Sequence, residues 1–296
     1  MDEEEVDFVC EGEGPHTIQG LVDLLKAGSD RFQDVPGLWR RANGKVHSTP
    51  AAPLIEDLAT DMPGAAWDLL PMDKYRAHNW HCFDRVHERN PYAVLYTSLG
   101  CPFHCTFCCI NAPFGGPGIR YRDPENVIEE IDWLVRDYDV RNIKILDEMF
   151  VLNPAHVRDL CNLIIERGYD LNIWAYARVD TVRDDMLEML KRAGFHWLAL
   201  GIESGSKHVR EGAEKDFKRH DIKAVIQKIQ SAGINVIGNY IFGLPDDNLD
   251  TMRETLDLAL ELNCEFANFY SAMAYPGSPL YRLASENGWR LPASWS

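Results

Sequence analysis

Four of the chain's eight cysteines fall within GCPFHCTFCC, residues 100–109. Cys101, Cys105 and Cys108 stand at the spacing C-x3-C-x2-C, and Cys109 follows directly. Thiolates are soft donors that suit zinc and iron–sulfur centres. A short loop with Gly100 and Pro102 can turn three sulfurs inward on one small inorganic centre. A 4Fe-4S cluster normally takes four cysteines, so three local ones would leave one iron open. An open metal position admits a substrate or cofactor. The same three thiolates with His104 as a fourth ligand would instead make a closed structural zinc site. Cys109 adjoins a candidate ligand, so its side chain should point elsewhere, into the wall of the site.

The rest of the chain bounds the setting. With 30 basic and 46 acidic residues, the net charge of −16 disfavours a nucleic-acid partner. No apolar run approaches the roughly 18 residues of a membrane span. The first residues, MDEEEVDF, carry acids where a secretory signal would carry basic and then apolar residues. A cytoplasmic location is the default expectation, and there clustered cysteines are metal-binding or catalytic rather than disulfide-forming.

From Tyr92 onward, apolar strand-like runs alternate with helical patterns. Strands are expected at residues 92–98, 142–147, 171–179, 196–204, 234–243 and 265–274, rich in β-branched and aromatic residues and apolar on both faces, as buried parallel strands are. PENVIEEIDWLVRDY, NPAHVRDLCNLIIERG and DNLDTMRETLDLALELN read as amphipathic helices, with Pro, Asn or Asp near their starts and Gly168 closing the second. The expected fold class is therefore α/β: six β/α units, either doubly wound or curled into a partial (β/α)6 TIM-like barrel, with a small α/β fragment in front. In both architectures, chemistry sits at the carboxyl ends of the strands, where the cysteine loop begins.

CPFHCTFC, with Phe107 before the third cysteine, resembles the signature of radical SAM enzymes, and the resemblance covers residues 92 to about 285. It implies a 4Fe-4S cluster on Cys101, Cys105 and Cys108. The open iron would take the amino and carboxylate groups of S-adenosylmethionine, whose reductive cleavage gives a 5′-deoxyadenosyl radical that abstracts hydrogen from the substrate. The resemblance implies further contacts to S-adenosylmethionine at the other strand ends. DEMF departs from the family's Gly-Gly-Glu wording, leaving Asp147 and Glu148 as candidate partners of the methionine amino group or as caps of the following helix. Arg178 in YARVD would pair with the carboxylate through two parallel hydrogen bonds, or with Asp180 or Asp147. Glu203 in LGIESGS would accept from the ribose hydroxyls, and Asn239 in GNYIFGLPDD would lie beside the adenine. No catalytic residue beyond these is singled out.

The stretch from residue 218 through YPGSPLY is similar to cobalamin-binding radical SAM proteins, several of which transfer methyl groups to unactivated centres. Residues 1–75 resemble the last strand and helix of a cobalamin domain with its linker, and 76–296 the radical SAM core. A hairpin turn is expected at Asn43-Gly44. The Asp-x-His-x-x-Gly motif of many such domains is missing, so cobalamin is implied only for a longer parent of a truncated chain. The resemblance also implies an electron donor such as a flavodoxin or ferredoxin, and a small-molecule or lipid-like substrate. Cys161 and Cys264 are expected in the core on helices, and Cys10 buried on a strand. Cys82 near His78, His81 and His87 lacks ligand spacing on a defined element. An iron–sulfur electron carrier and a zinc-stapled binding module remain as alternative functions.

Overall fold

The computed structural model describes residues 5–62, 64–79, 82, 85–215, 217 and 221–292. Backbone contacts divide the chain into two compact units. One comprises residues 1–57, 102–118 and 274–296, the other residues 58–101 and 119–273.

In the first unit, β1 (Phe8–Cys10) leads through Gly14, in the left-handed region at φ +93°, into α1 (Pro15–Lys26). Two further strands, β2 (Leu38–Ala42) and β3 (Lys45–Ser48), form the expected hairpin, with Asn43 and Gly44 both at positive φ. β1 pairs antiparallel with β2, giving a three-stranded sheet. Ile18, Val22 and Leu25 of α1 are exposed, so the apolar stripe of this helix stays uncovered in the structure. Cys10 is half-buried rather than buried, because β1 is an outer strand of so small a sheet.

The second unit opens with the short α2 (Leu58–Asp61) and carries a six-stranded sheet. After β4 (Tyr92–Leu95) the chain breaks strand geometry at Tyr96 and Thr97, then forms a separate two-stranded ladder of β5 (Ser98–Cys101) and β6 (Gly118–Tyr121). The single strand expected over 92–98 is thus two. Beyond it come α3 (Pro124–Tyr138), β7 (Asn142–Ile145), α4 (Pro154–Arg167), β8 (Asn172–Ala177), α5 (Asp184–Arg192) and β9 (Phe195–Glu203). α6 (Lys207–Gly212), α7 (Ile222–Ser231), β10 (Asn235–Phe242), α8 (Leu249–Leu262) and β11 (Phe266–Ser271) complete the unit, and α9 (Pro279–Glu286) belongs to the first.

Every pair in the large sheet is parallel, and the strand order is β4-β7-β8-β9-β10-β11. A doubly wound sheet reverses its strand order at a switch point. This order runs one way only, which is the winding of a partial barrel. Local chemistry sets the boundaries: Asn153 accepts from the N–H groups of Ala155 and His156 at the start of α4, and Gly168 and Asn263 close α4 and α8 in the left-handed conformation.

One face of the sheet, with Ile143, Ile145, Ile173, Leu198, Leu200 and Val236, packs in a single core with Ile131, Leu160, Leu190 and Ile229 of the helices. Residues of the other strand parity, Trp174, Trp197, Ala199 and Ile237, form a separate small cluster with Tyr176 and Phe266. This is the inner face, and its upper positions carry the polar groups. Cys161 is buried on α4 as expected, whereas Cys264 lies past the end of α8 and is half-buried. No helix among the described residues is long and apolar enough to cross a membrane.

Candidate functional site

The cysteines begin at the last residue of β5. Cys101 is buried, Cys105 and Cys108 are half-buried, and none of the three forms a disulfide. Residues 102–118 fold by tight turns: the Cys108 N–H donates to the Cys105 carbonyl at 3.0 Å, and Asn111 Nδ2 donates to the Phe103 carbonyl at 2.9 Å. Among the described residues no three His, Cys, Asp or Glu side chains are gathered as a metal-binding set. The fit of this loop to an iron–sulfur cluster therefore rests on donor chemistry: three soft, undisulfided thiols within eight residues of chain.

Asp147 stands just past β7 and is 1% exposed. Its Oδ1 accepts from the Thr97 N–H at 2.6 Å, and its Oδ2 accepts from the hydroxyls of Thr97 at 2.5 Å and Ser98 at 2.6 Å. The Thr97 hydroxyl in turn meets His156 Nε2 at 3.0 Å. Both carboxylate oxygens are thus occupied by the segment joining β4 to β5, which explains the break at Tyr96 and Thr97 that sequence reasoning missed. Burial pushes the Asp147 carboxyl up, against the pull of these hydrogen bonds, and holds the His156 imidazole below its ordinary value.

Glu148, the next residue, reaches solvent. Desolvation by the surrounding protein, and then the Asp147 charge, raise its carboxyl, while Lys144 and Lys215 act in the opposite direction. Arg178, directly after β8, is buried and held by Asp180 in two parallel hydrogen bonds, Nε to Oδ1 at 2.8 Å and Nη2 to Oδ2 at 3.0 Å. Its guanidinium carbon lies 5.3 Å from the ring centre of Phe217. Of the two partners considered for Arg178 within the protein, Asp180 is the one it meets.

Glu203 ends β9 with φ +65°, a conformation uncommon outside glycine that clusters at functional sites. Its Oε1 lies 2.9 Å from Lys215 Nζ, and both side chains are largely buried. Gly201 leaves room for this pair: a Cβ there would overlap Glu203 Oε1 and come within 2.9 Å of Lys215 Nζ. Asn239 is paired with Gly201 in the β9–β10 register, accepts from Asn268 Nδ2 at 3.0 Å, and donates to the Leu200 carbonyl at 3.4 Å.

Glu148, Arg178 and Glu203 thus occupy one rim, at or just past the carboxyl ends of β7, β8 and β9, with Lys215 against Glu203 and Phe217 against Arg178, whereas Asn239 lies within β10, short of its carboxyl end. Asp147 is drawn aside into the support of β5. Lys215 and Phe217 sit between elements and follow no periodic pattern, although the glycine within the strand LGIES marks a close approach. Cys82 is fully buried with its Sγ 3.4 Å from the His78 carbonyl, and His81 lies outside the described residues.

Comparison with known proteins bears on this arrangement. Residues 95–259 match the model of the Radical SAM superfamily. A protein of Pyrococcus horikoshii named as an uncharacterized methyltransferase is 34% identical over 98% of this chain and 60% of its own length. The cytidylyl-2-hydroxyethylphosphonate methyltransferase of Streptomyces wedmorensis is 27% identical over 99% of this chain and 59% of its own. The chain thus spans about three-fifths of these relatives. Among solved structures, the radical S-adenosylmethionine methyltransferase TsrM of Kitasatospora setae, with cobalamin and a 4Fe-4S cluster bound, shares the fold at a TM-score of 0.75 and 19% identity, over 97% of this chain and 55% of that one. With the family model matching more than half of its residues, this chain belongs to the radical SAM superfamily.

Proposed function

We propose that the chain binds a 4Fe-4S cluster through Cys101, Cys105 and Cys108 and uses it to cleave S-adenosylmethionine reductively. The observation that carries this reading is the C-x3-C-x2-C loop of cysteines without disulfides issuing from β5 in a chain whose strand ends carry a rim of charged side chains. When bound, the cluster supplies the electron that splits the sulfonium into methionine and a 5′-deoxyadenosyl radical, which abstracts a hydrogen atom from the substrate.

The protein's own residues would do the positioning. Glu148 offers a carboxylate to the methionine amino group, and Arg178, held flat by Asp180, brings the positive charge that pairs with the methionine carboxylate. Glu203, kept extended over Gly201 by Lys215, accepts from ribose hydroxyls, while Asn239 presents its amide beside the adenine. Asp147 is proposed to act at one remove, fixing Thr97 and Ser98 so that β5 delivers Cys101 in one position.

Methyl transfer by a longer parent is the finer proposal, favoured by the relatives named as methyltransferases. The Asp-x-His-x-x-Gly motif of cobalamin domains does not occur in these 296 residues. The residues present do not supply that axial ligand, and no step is assigned to cobalamin. Residues 1–75 are proposed as a remnant of such a domain and 76–296 as the radical SAM core, acting in the cytoplasm on a small-molecule or lipid-like substrate with a flavodoxin or ferredoxin as electron donor.

The test is spectroscopic. Anaerobically reconstituted protein, reduced and then given S-adenosylmethionine, should show a changed electron paramagnetic resonance signal of its cluster. An unchanged signal would point to an electron carrier, and a colourless protein holding zinc would point to the binding module.

A further inference from the structure

Lys144 is the one charged residue of β7, flanked by Ile143 and Ile145, and belongs to the inner face of the sheet. Its Nζ sits 4.2 Å from the ring centre of Trp174 and 5.2 Å from that of Tyr176, on the adjacent strand β8. Its one hydrogen-bond partner among the described residues is the Tyr176 hydroxyl, at a long 3.4 Å. An ammonium group has three N–H donors. At least two of them therefore meet no protein acceptor among the described residues.

The neighbouring buried cations are served differently. Arg122 meets Glu130 at 2.7 Å, Arg178 meets Asp180, and Lys215 meets Glu203. Glu148 acts electrostatically on Lys144 but forms no ion pair with it within 4 Å. Burial holds the Lys144 ammonium below the ordinary lysine value, and the two ring faces contribute only about 0.5–2 kcal/mol to keeping it charged. The half-buried side chain remains open on the inner face.

We propose that Lys144 anchors an oxyanion of the substrate, a carboxylate or a phosphate, on the inner face of the sheet, so that the substrate class is an acidic small molecule. Two free N–H donors match the two acceptor oxygens such a group presents, and a charge-assisted hydrogen bond is the strong kind. The rings of Trp174 and Tyr176 hold the ammonium in place, so little side-chain freedom is lost on binding. The proposal rests on the reading of this face as the chamber where substrate meets the radical.

Calorimetry on the anaerobically reconstituted protein tests it, with benzoate and phenylphosphonate as probes and neutral benzamide as control. The wild type should prefer an anion to benzamide, and the tighter of the two anions identifies the group. Lys144→Met should weaken anion binding about tenfold or more while leaving benzamide unchanged, and Lys144→Arg should restore most of the loss. No preference for either anion in the wild type, or equal anion binding by wild type and K144M, would overturn the proposal. Formation of 5′-deoxyadenosine by the wild type is read separately: radical formation without anion preference sinks only the anchor, and anion preference without radical formation sinks only the reading it rests on.

Discussion

Among single residues, side chains that look alike in sequence have different surroundings in the fold. Cys105→Ser should abolish iron binding on reconstitution while Cys109→Ser leaves the iron content at the wild-type level, as a colorimetric iron assay per chain reports. Asp147 and Glu148 are adjacent acids, and sequence alone gave both the same candidate role. The structure divides them, because Asp147 is enclosed by three donors whereas Glu148 reaches solvent. Asp147→Asn turns an amide donor toward donors of Thr97 and Ser98, and urea unfolding should show a loss of about 1–3 kcal/mol. His156 carries a pH dependence. Its folded pKa is lowered by burial, so the unfolded chain binds the proton more readily and stability falls as pH drops through the unfolded value of about 6.5. Urea midpoints between neutral and mildly acid pH should decline less in His156→Gln, whose amide can still hydrogen-bond Thr97.

At the scale of elements, most of the architecture was legible because local signals agree with the packing. Proline and Asn caps, the left-handed Gly168 and the apolar faces place α3, α4 and α8 where sequence reading expects them. All six parallel strands appear as well. The break between β4 and β5 was not legible, since the hydrogen bonds that impose it come from Asp147, fifty residues further along the chain. The rim was legible in part: Arg178 and Glu203 stand at strand ends as expected, but their partners Phe217 and Lys215 lie in an irregular segment without a pattern of its own. Gly205 shows how tightly the end of β9 is held, for its N–H donates to Thr255 Oγ1 at 2.9 Å and a Cβ would overlap the Glu254 carbonyl of α8. Gly205→Ala should therefore cost about 1–3 kcal/mol, measured by the same unfolding assay, whereas Gly168→Ala, with open space around it, should cost only the strain of its positive φ.

At the scale of the whole molecule, the monotonic strand order separates a partial barrel from a doubly wound sheet, a choice that alternating β and α patterns could not make. The unit that holds residues 1–57 keeps Ile18, Val22 and Leu25 of α1 exposed. The central claim is that this chain generates a radical from S-adenosylmethionine. Its most direct test is chromatographic detection of 5′-deoxyadenosine and methionine after anaerobic reconstitution with iron and sulfide, reduction with dithionite and addition of S-adenosylmethionine. The account predicts both products from the wild type and neither from Cys105→Ser; a fully reconstituted wild type that yields no more 5′-deoxyadenosine than that variant would contradict it.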